Sequence, residues 1–277
     1  MTAAPVLLAS GRPPPSRERE GTVEEPLPGG NADAGQVVRV GDTVRRPGRP
    51  WTPAVLALLA HLRDRGLSWV PEPLGVDERG RSVLRYLPGD NPFPAGLSAF
   101  ATDSAAHRVG AMIRDLHDAV ADFVPPVDAR WQVLYPHAGN EIIAHQDLAP
   151  YNVLVHGDEW YLIDWDAAAP GDRLWDLAYA LRGFVPLSGD GAWEPGGTER
   201  RLRLVVDGYG ATGPERELLA GLVVERVRSM AELLREGWRH GRQPWARMYA
   251  EGHGPYWAAE AGFAAARVET WRRALLA

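Results

Sequence analysis

Residues 142–166 read IIAHQDLAPYNVLVHGDEWYLIDWD, and this stretch limits the possible folds of the chain more than any other. Two apolar runs, Val153-Leu154-Val155 and residues 160–163, flank the polar turn His156-Gly157-Asp158-Glu159. Short apolar runs around a Gly-containing turn specify a β-hairpin. Centring the hairpin near Asp158 sets Asn152 opposite Asp164 where the strands end, with Asp147 on the loop leading in. Two carboxylates and a carboxamide then converge at the open end of one hairpin. The competing reading is an ordinary hairpin with solvated or capping acids. It is disfavoured because the polar residues cluster at one end of the apolar pair instead of alternating along it.

Hard oxygen donors of this kind suit Mg²⁺, which keeps several waters and completes its shell with phosphates. Phosphoryl transfer uses such a set: one aspartate receives or orients the proton of the acceptor hydroxyl, while an asparagine and a second aspartate hold metal. The segment His145-Gln146-Asp147-Leu148-Ala149-Pro150-Tyr151-Asn152 resembles the catalytic loop of the aminoglycoside phosphotransferase (APH) family of kinase-like small-molecule kinases. Ile163-Asp164-Trp165-Asp166 resembles their metal-binding segment, in the place where protein kinases carry Asp-Phe-Gly. Leu174-Trp175-Asp176-Leu177-Ala178 is similar to a further part of that family.

The resemblance covers residues 27–190 well and the C-terminal helices poorly. It implies an α+β, bilobal protein-kinase-like fold, with a small antiparallel sheet lobe carrying one helix and a larger, mainly helical lobe. It also implies ATP- or GTP-dependent O-phosphorylation of a small hydroxylated molecule. Asp147 would be the catalytic residue, acting as base or orienter, and Asn152 and Asp164 the Mg²⁺ ligands. His145 would brace the loop near Asp164, and Asp176 would anchor the loop backbone. Tyr151 either lines the substrate mouth or packs; Asp166 either meets a metal-bound water or faces the substrate cleft.

Three segments are expected: a flexible leader over 1–26, a nucleotide-binding lobe over 27–89, and a catalytic and substrate-binding lobe over 90–277. The leader holds Pro13-Pro14-Pro15 and Arg17-Glu18-Arg19-Glu20 with little periodic apolar content. Gly29, Gly30 and Asn31 lie in a glycine-rich turn that either covers nucleotide phosphates with backbone N–H groups or is a plain turn; the Gly-x-Gly-x-x-Gly pattern is missing. The resemblance puts Arg45 where the family carries a phosphate-contacting lysine. Arg46 would point to the other face, and a register error of one residue would exchange the two roles. The competing reading of Arg45 is a solvated strand arginine. A helix follows, with Thr52 read as its N-cap and Pro53 at its first position. From Trp51 to Arg63 it has no acidic residue, so the glutamate that would pair with the lysine is also replaced. Tyr86-Leu87-Pro88-Gly89 is read as the crossing between lobes, where Tyr86 and Leu87 would present backbone groups to an adenine ring; a routine strand exit is the alternative.

The remainder reads as helices over 105–124, 174–184, 199–208, 214–238 and 255–276. His117 flanks the apolar stripe of the first and is read as a packed histidine. Trp238, Trp245, Trp257 and Trp271 are core or stacking surfaces for a flat or sugar-like ligand.

All 30 basic residues are arginine. Residues 1–89 carry a net charge of +2 and residues 90–277 a net −8. An acidic larger lobe argues against a nucleic-acid partner. No apolar run approaches the ~20 residues needed to span a bilayer, so no membrane partner is expected. With no cysteine, disulfide frameworks, thiol nucleophiles and thiolate zinc sites are excluded. A cytoplasmic enzyme fits. The acceptor would be an aminoglycoside-like antibiotic or a choline-type amino alcohol. A non-catalytic nucleotide-binding or immunity protein on the same fold is the alternative outside enzymes.

Overall fold

A computed structural model describes residues 23–27, 35–92, 97–136, 138–189 and 197–277. Residues 1–22 of the expected leader lie outside the described residues, as do Gly29, Gly30 and Asn31.

The N-terminal part is a five-stranded antiparallel sheet. Its strands are β1 (Glu25–Pro26), β2 (Val38–Val40), β3 (Thr43–Arg46), β4 (Pro73–Val76) and β5 (Ser82–Arg85), in the order β1-β2-β3-β5-β4. The sheet therefore begins before residue 27: Glu25 and Pro26 pair with Arg39 and Val38. Pro26 lacks an N–H, and the edge of the sheet tolerates it. Helix α1 (Thr52–Asp64) buries Val55, Leu58, Leu59 and Leu62. Its N-cap is Trp51 and not Thr52 as expected; the Thr52 hydroxyl instead accepts the Arg49 N–H (2.9 Å), outside the helix.

The chain leaves the sheet through residues 86–89 and is at once tied to the rest. Asp90 and Val155 exchange two backbone hydrogen bonds, Asp90 N–H to Val155 (3.1 Å) and Val155 N–H to Asp90 (2.9 Å). Gly89 lies at φ +119°, and a β-carbon there would come within 2.8 Å of the Val155 carbonyl oxygen.

The remainder is mainly helical. Helix α2 (Asp103–Val120) starts at Thr102, whose hydroxyl accepts the Ala105 N–H (3.1 Å). Short strands β6 (Ile142–Ala144) and β9 (Ala169–Gly171) pair antiparallel and frame the hairpin of β7 (Val153–His156) and β8 (Glu159–Leu162). Helices α3 (Arg173–Phe184), α4 (Gly197–Tyr209), α5 (Gly213–Arg239), α6 (Trp245–Met248) and α7 (Gly254–Leu276) complete it. The four long helices after the hairpin match the sequence expectation within a few residues. The β6–β9 pair, α6 and the π-turn Tyr249–His253 were not anticipated, being too short for periodicity to register. Trp257 and Trp271 are core, whereas Trp238 is exposed and stacks on Tyr249 with ring centroids 5.5 Å apart.

Helices α2 and α4 approach closely because each carries glycine at the crossing. A β-carbon on Gly208 would lie 2.0 Å from the His107 carbonyl oxygen, and one on Gly110 would strike the Val205 carbonyl. Close packing of this kind leaves no room even for a methyl group.

Candidate active site

The β7–β8 hairpin pairs His156 with Glu159 and Val153 with Leu162. Its turn is therefore the two residues Gly157-Asp158, with Gly157 at φ +59°. This corrects the expected register by one: Asn152 faces Ile163 and accepts its N–H (2.8 Å), and Asp164 lies one residue beyond the pair. Asp164 then turns out of the strand at φ +61°, a left-handed conformation uncommon for a non-glycine residue.

The loop before β7 is held from below by α3. Asp176, fully buried, accepts the backbone N–H of His145 (3.0 Å) on one oxygen and that of Gln146 (2.9 Å) on the other. The His117 ring lies 3.3 Å from the same carboxylate and 3.0 Å from the Tyr209 hydroxyl, so it is a packed histidine. Burial alone would raise the Asp176 carboxyl. The His117 hydrogen bond and charge, with His145 and the Gln146 N–H, outweigh that effect and hold it below the ordinary carboxylate value. His145 bonds the Ile163 carbonyl through Nε2 (3.2 Å), and its Nδ1 accepts the Asp147 N–H (3.2 Å). It braces the loop against the segment carrying Asp164. A bulkier residue at Gly183 would bring its β-carbon within 2.8 Å of Pro150, so glycine there lets α3 close on the loop.

Asp147 is part-buried and has a partner on each oxygen. The Tyr151 hydroxyl donates to one (2.7 Å) and the Asn152 amide to the other (2.8 Å). Burial raises its carboxyl above the ordinary value; the Tyr151 hydrogen bond works against the rise, and the charge of Asp164 adds to it. A second hydroxyl, from Tyr179 on α3, lies 2.7 Å from that of Tyr151. Burial drives the Tyr151 phenol well above its ordinary value, so it is a neutral donor. The Tyr151–Asp147 contact and Tyr179 were not found in the sequence, where Tyr151 stood open between lining and packing.

Across the cleft the structure corrects the arginine. Arg46, not Arg45, reaches Asp164 (2.8 Å) and Asp166 (2.7 Å) through one guanidinium nitrogen. Strand β3 pairs Arg46 with Ser82 and Arg45 with Val83. Successive side chains alternate between faces of a sheet. Arg45 consequently sits on the face away from the cleft, bonded to the Thr43 hydroxyl (2.6 Å) and near Asp77 (3.6 Å). Asp166 also accepts from the Trp51 indole (3.4 Å). Arg46, Ser82 and Leu84 line, with Val55, Leu59 and Asp164, a cavity between the sheet, α1 and the hairpin end. At the crossing, the Tyr86 N–H is already taken by the Asp42 carbonyl (2.8 Å), and the guanidinium of Arg39 lies over its ring at 3.9 Å. That commitment removes the Tyr86 N–H from the groups open to an adenine ring.

The donors present fit magnesium bound together with a nucleotide. Asn152 turns its amide nitrogen to the Asp147 carbonyl (2.9 Å) and carboxylate, which leaves its oxygen end as a hard donor. Asp164 keeps about a third of its side chain exposed. No group of three or more His, Cys, Asp or Glu able to hold a metal occurs among the described residues. For such an ion, phosphate oxygens and water would supply the rest of the shell, as Mg²⁺ ordinarily requires.

A model of the APH phosphotransferase enzyme family matches residues 122–220, which contain Asp147, Asn152, Asp164 and Asp176. The trifolitoxin immunity protein of Rhizobium leguminosarum bv. trifolii is 33% identical over 213 residues, covering 72% of this chain and 80% of that protein.

The chain belongs to the APH phosphotransferase family.

Solved structures agree on the fold of this APH-family chain. A choline/ethanolamine kinase family protein from Mesorhizobium loti superposes with a TM-score of 0.58 at 22% identity, covering 90% of this chain and 93% of that one. The amicoumacin kinase hAmiN, solved with AMP-PNP, Ca²⁺ and Ami, superposes with a TM-score of 0.63 at 12% identity, covering 91% and 87%. The bilobal architecture is thus a kinase-like phosphotransferase fold.

Proposed function

We propose that this APH-family chain transfers the terminal phosphoryl group of Mg²⁺–ATP or Mg²⁺–GTP to a hydroxyl of a small molecule. One observation carries the reading: Asp147, fixed by Tyr151 and Asn152, shares the hairpin end with Asp164, and Arg46 lies opposite. The acceptor oxygen forms a bond to the γ-phosphorus as the bond to the nucleoside diphosphate breaks, and the acceptor proton passes to an Asp147 oxygen. Burial fits Asp147 for that task, because a raised carboxyl is a better proton acceptor than an exposed one. Asn152 and Asp164 would hold magnesium. When bound, that ion supplies charge neutralisation at the phosphates. Arg46 adds a fixed cation on the sheet side, and the remaining catalysis is positioning.

The acceptor is proposed as an antibacterial compound or toxin bearing a hydroxyl, which the modifying enzyme would inactivate. The 33% identity to the trifolitoxin immunity protein supports this over an amino-alcohol metabolite. Nucleotide consumption by the full chain against a panel of hydroxylated antibiotics, peptides and amino alcohols tests it, with Asp147→Ala as control. Acceptor-dependent turnover, lost in the control, supports the proposal. Equal turnover in both proteins removes Asp147 from the role of base, and Mg²⁺–nucleotide binding with no turnover favours the non-catalytic reading.

A further inference from the structure

We propose that Arg226 is a positioning residue for phosphoryl transfer: a buried cation on α5 that fixes the backbone of the loop carrying Asp147. The inference rests on the phosphotransferase reading above.

Arg226 lies midway along α5 and is 1% exposed. Its Nη2 donates to the carbonyl of Gln146 (2.8 Å), the residue immediately before Asp147. Gln146 stands at φ +67°, a conformation that a side-chain-bearing residue keeps only where its surroundings over-determine it. The Gln146 N–H is held by Asp176 and its carbonyl by Arg226, so α3 and α5 grip the two peptide units on either side of one strained residue. The guanidinium also lies 3.7 Å from the Tyr135 ring centre and 4.0 Å from that of Tyr179. The Tyr179 hydroxyl meets that of Tyr151, and Tyr151 donates to Asp147. Arg226 therefore reaches Asp147 along two routes, the Gln146 peptide and the tyrosine pair.

The energetics separate this role from simple packing. Among the described residues no carboxylate forms an ion pair with Arg226, and its Nε and Nη1 have no hydrogen-bond partner. The Tyr135 and Tyr179 side chains, the Gln146 carbonyl and, through space, the Asp147 carboxylate are what meet the charge. An arginine remains charged when buried, and a desolvated cation without a salt-bridge partner is costly. An apolar side chain of similar length would fill the box at less cost. What it could not do is hydrogen-bond the Gln146 carbonyl. Stability and turnover should consequently respond in different directions to its loss.

The test uses the full chain as wild type, Arg226→Met, Arg226→Lys, Tyr179→Phe and the Met/Phe double variant. Mg²⁺–ATP affinity is read by calorimetry, turnover as ADP release with the same panel of hydroxylated compounds or with water, and folding by thermal melting. For Arg226→Met the expectation is an unchanged or higher Tm, Mg²⁺–ATP Kd within about twofold, and kcat lower by about 100-fold, as displacement of a reacting group by an ångström gives. Arg226→Lys should recover part of kcat, and the double variant should lose less than the product of the single losses. If Arg226→Met does not fold, Arg226→Lys is read alone: reduced kcat at unchanged Kd supports the role, unchanged kcat overturns it. A wild type that turns over alongside an equally active Arg226→Met overturns this inference alone. Parallel losses of Tm, Kd and kcat also overturn it, in favour of a structural role. A wild type that does not consume nucleotide, whether or not it binds it, overturns the phosphotransferase reading, and this one with it.

Discussion

Arg46 of β3 crosses the cleft to Asp164, their nitrogen and oxygen 2.8 Å apart. With Asp166 on the same nitrogen, the guanidinium joins the sheet to the hairpin end and stands on the sheet side of the proposed phosphate site. Arg46→Ala is expected to weaken Mg²⁺–nucleotide binding by about 10- to 100-fold, in line with ~1.5–3 kcal/mol for a hydrogen bond to a charged group. Arg45→Ala, on the opposite face, should change it less than about twofold. Calorimetric titration of both variants checks the assignment; the reverse order of effects would return the role to Arg45.

Asp147 and Asp164 should fail in different ways. Asp147→Asn keeps the shape that Tyr151 and Asn152 enclose but loses the proton acceptor. The expected result is a kcat lower by about 10²–10⁴ with nucleotide Kd almost unchanged. Asp164→Asn should instead lose the magnesium dependence of nucleotide binding. Titrations with and without Mg²⁺ on the two variants separate these effects.

Asp176 sets an acid limit on stability. Its folded pKa lies below the ordinary value because His117, His145 and the Gln146 N–H favour the carboxylate. Its share of stability is complete above the unfolded value of about 4 and drains away as pH falls through the folded one. Asp176→Asn should be less stable at neutral pH by about 1–3 kcal/mol, and the gap to wild type should narrow below about pH 4. Denaturant melts across pH 3–7 would show the two curves converging; a gap that widens on acidification would contradict the assignment.

Gly208 is a steric prediction. Its β-carbon would fall 2.0 Å from the His107 carbonyl, so Gly208→Ala should cost about 1–3 kcal/mol through forced separation of α2 and α4. Gly213→Ala, with nothing within 4 Å of the added carbon, should stay within about 0.5 kcal/mol. Chemical denaturation of both variants gives the comparison.

The hairpin, the long helices and the grouping of Asp147, Asn152 and Asp164 could all be read from the sequence, because apolar period and turn chemistry are local signals. What escaped depended on register and tertiary approach. A one-residue change in turn length moved Asn152 opposite Ile163. The choice between Arg45 and Arg46 needed the β3–β5 pairing, which two adjacent arginines do not reveal. Tyr179 and Arg226 looked like ordinary positions on amphipathic helices. Their proximity to Asp147 exists only once α3 and α5 fold beneath the loop, and no short motif encodes that.

The tie between Asp90 and Val155 has a mechanical counterpart on the other strand, where Leu162 donates its N–H to the Trp69 carbonyl (2.9 Å). Both attachments from the sheet side land on the same hairpin, one on each strand. The hairpin that ends at Asn152 and Asp164 is thus bonded to the sheet side along both of its strands. Arg46 of β3 meets that same end, so the proposed magnesium ligands and the cation opposite them stand on one shared footing.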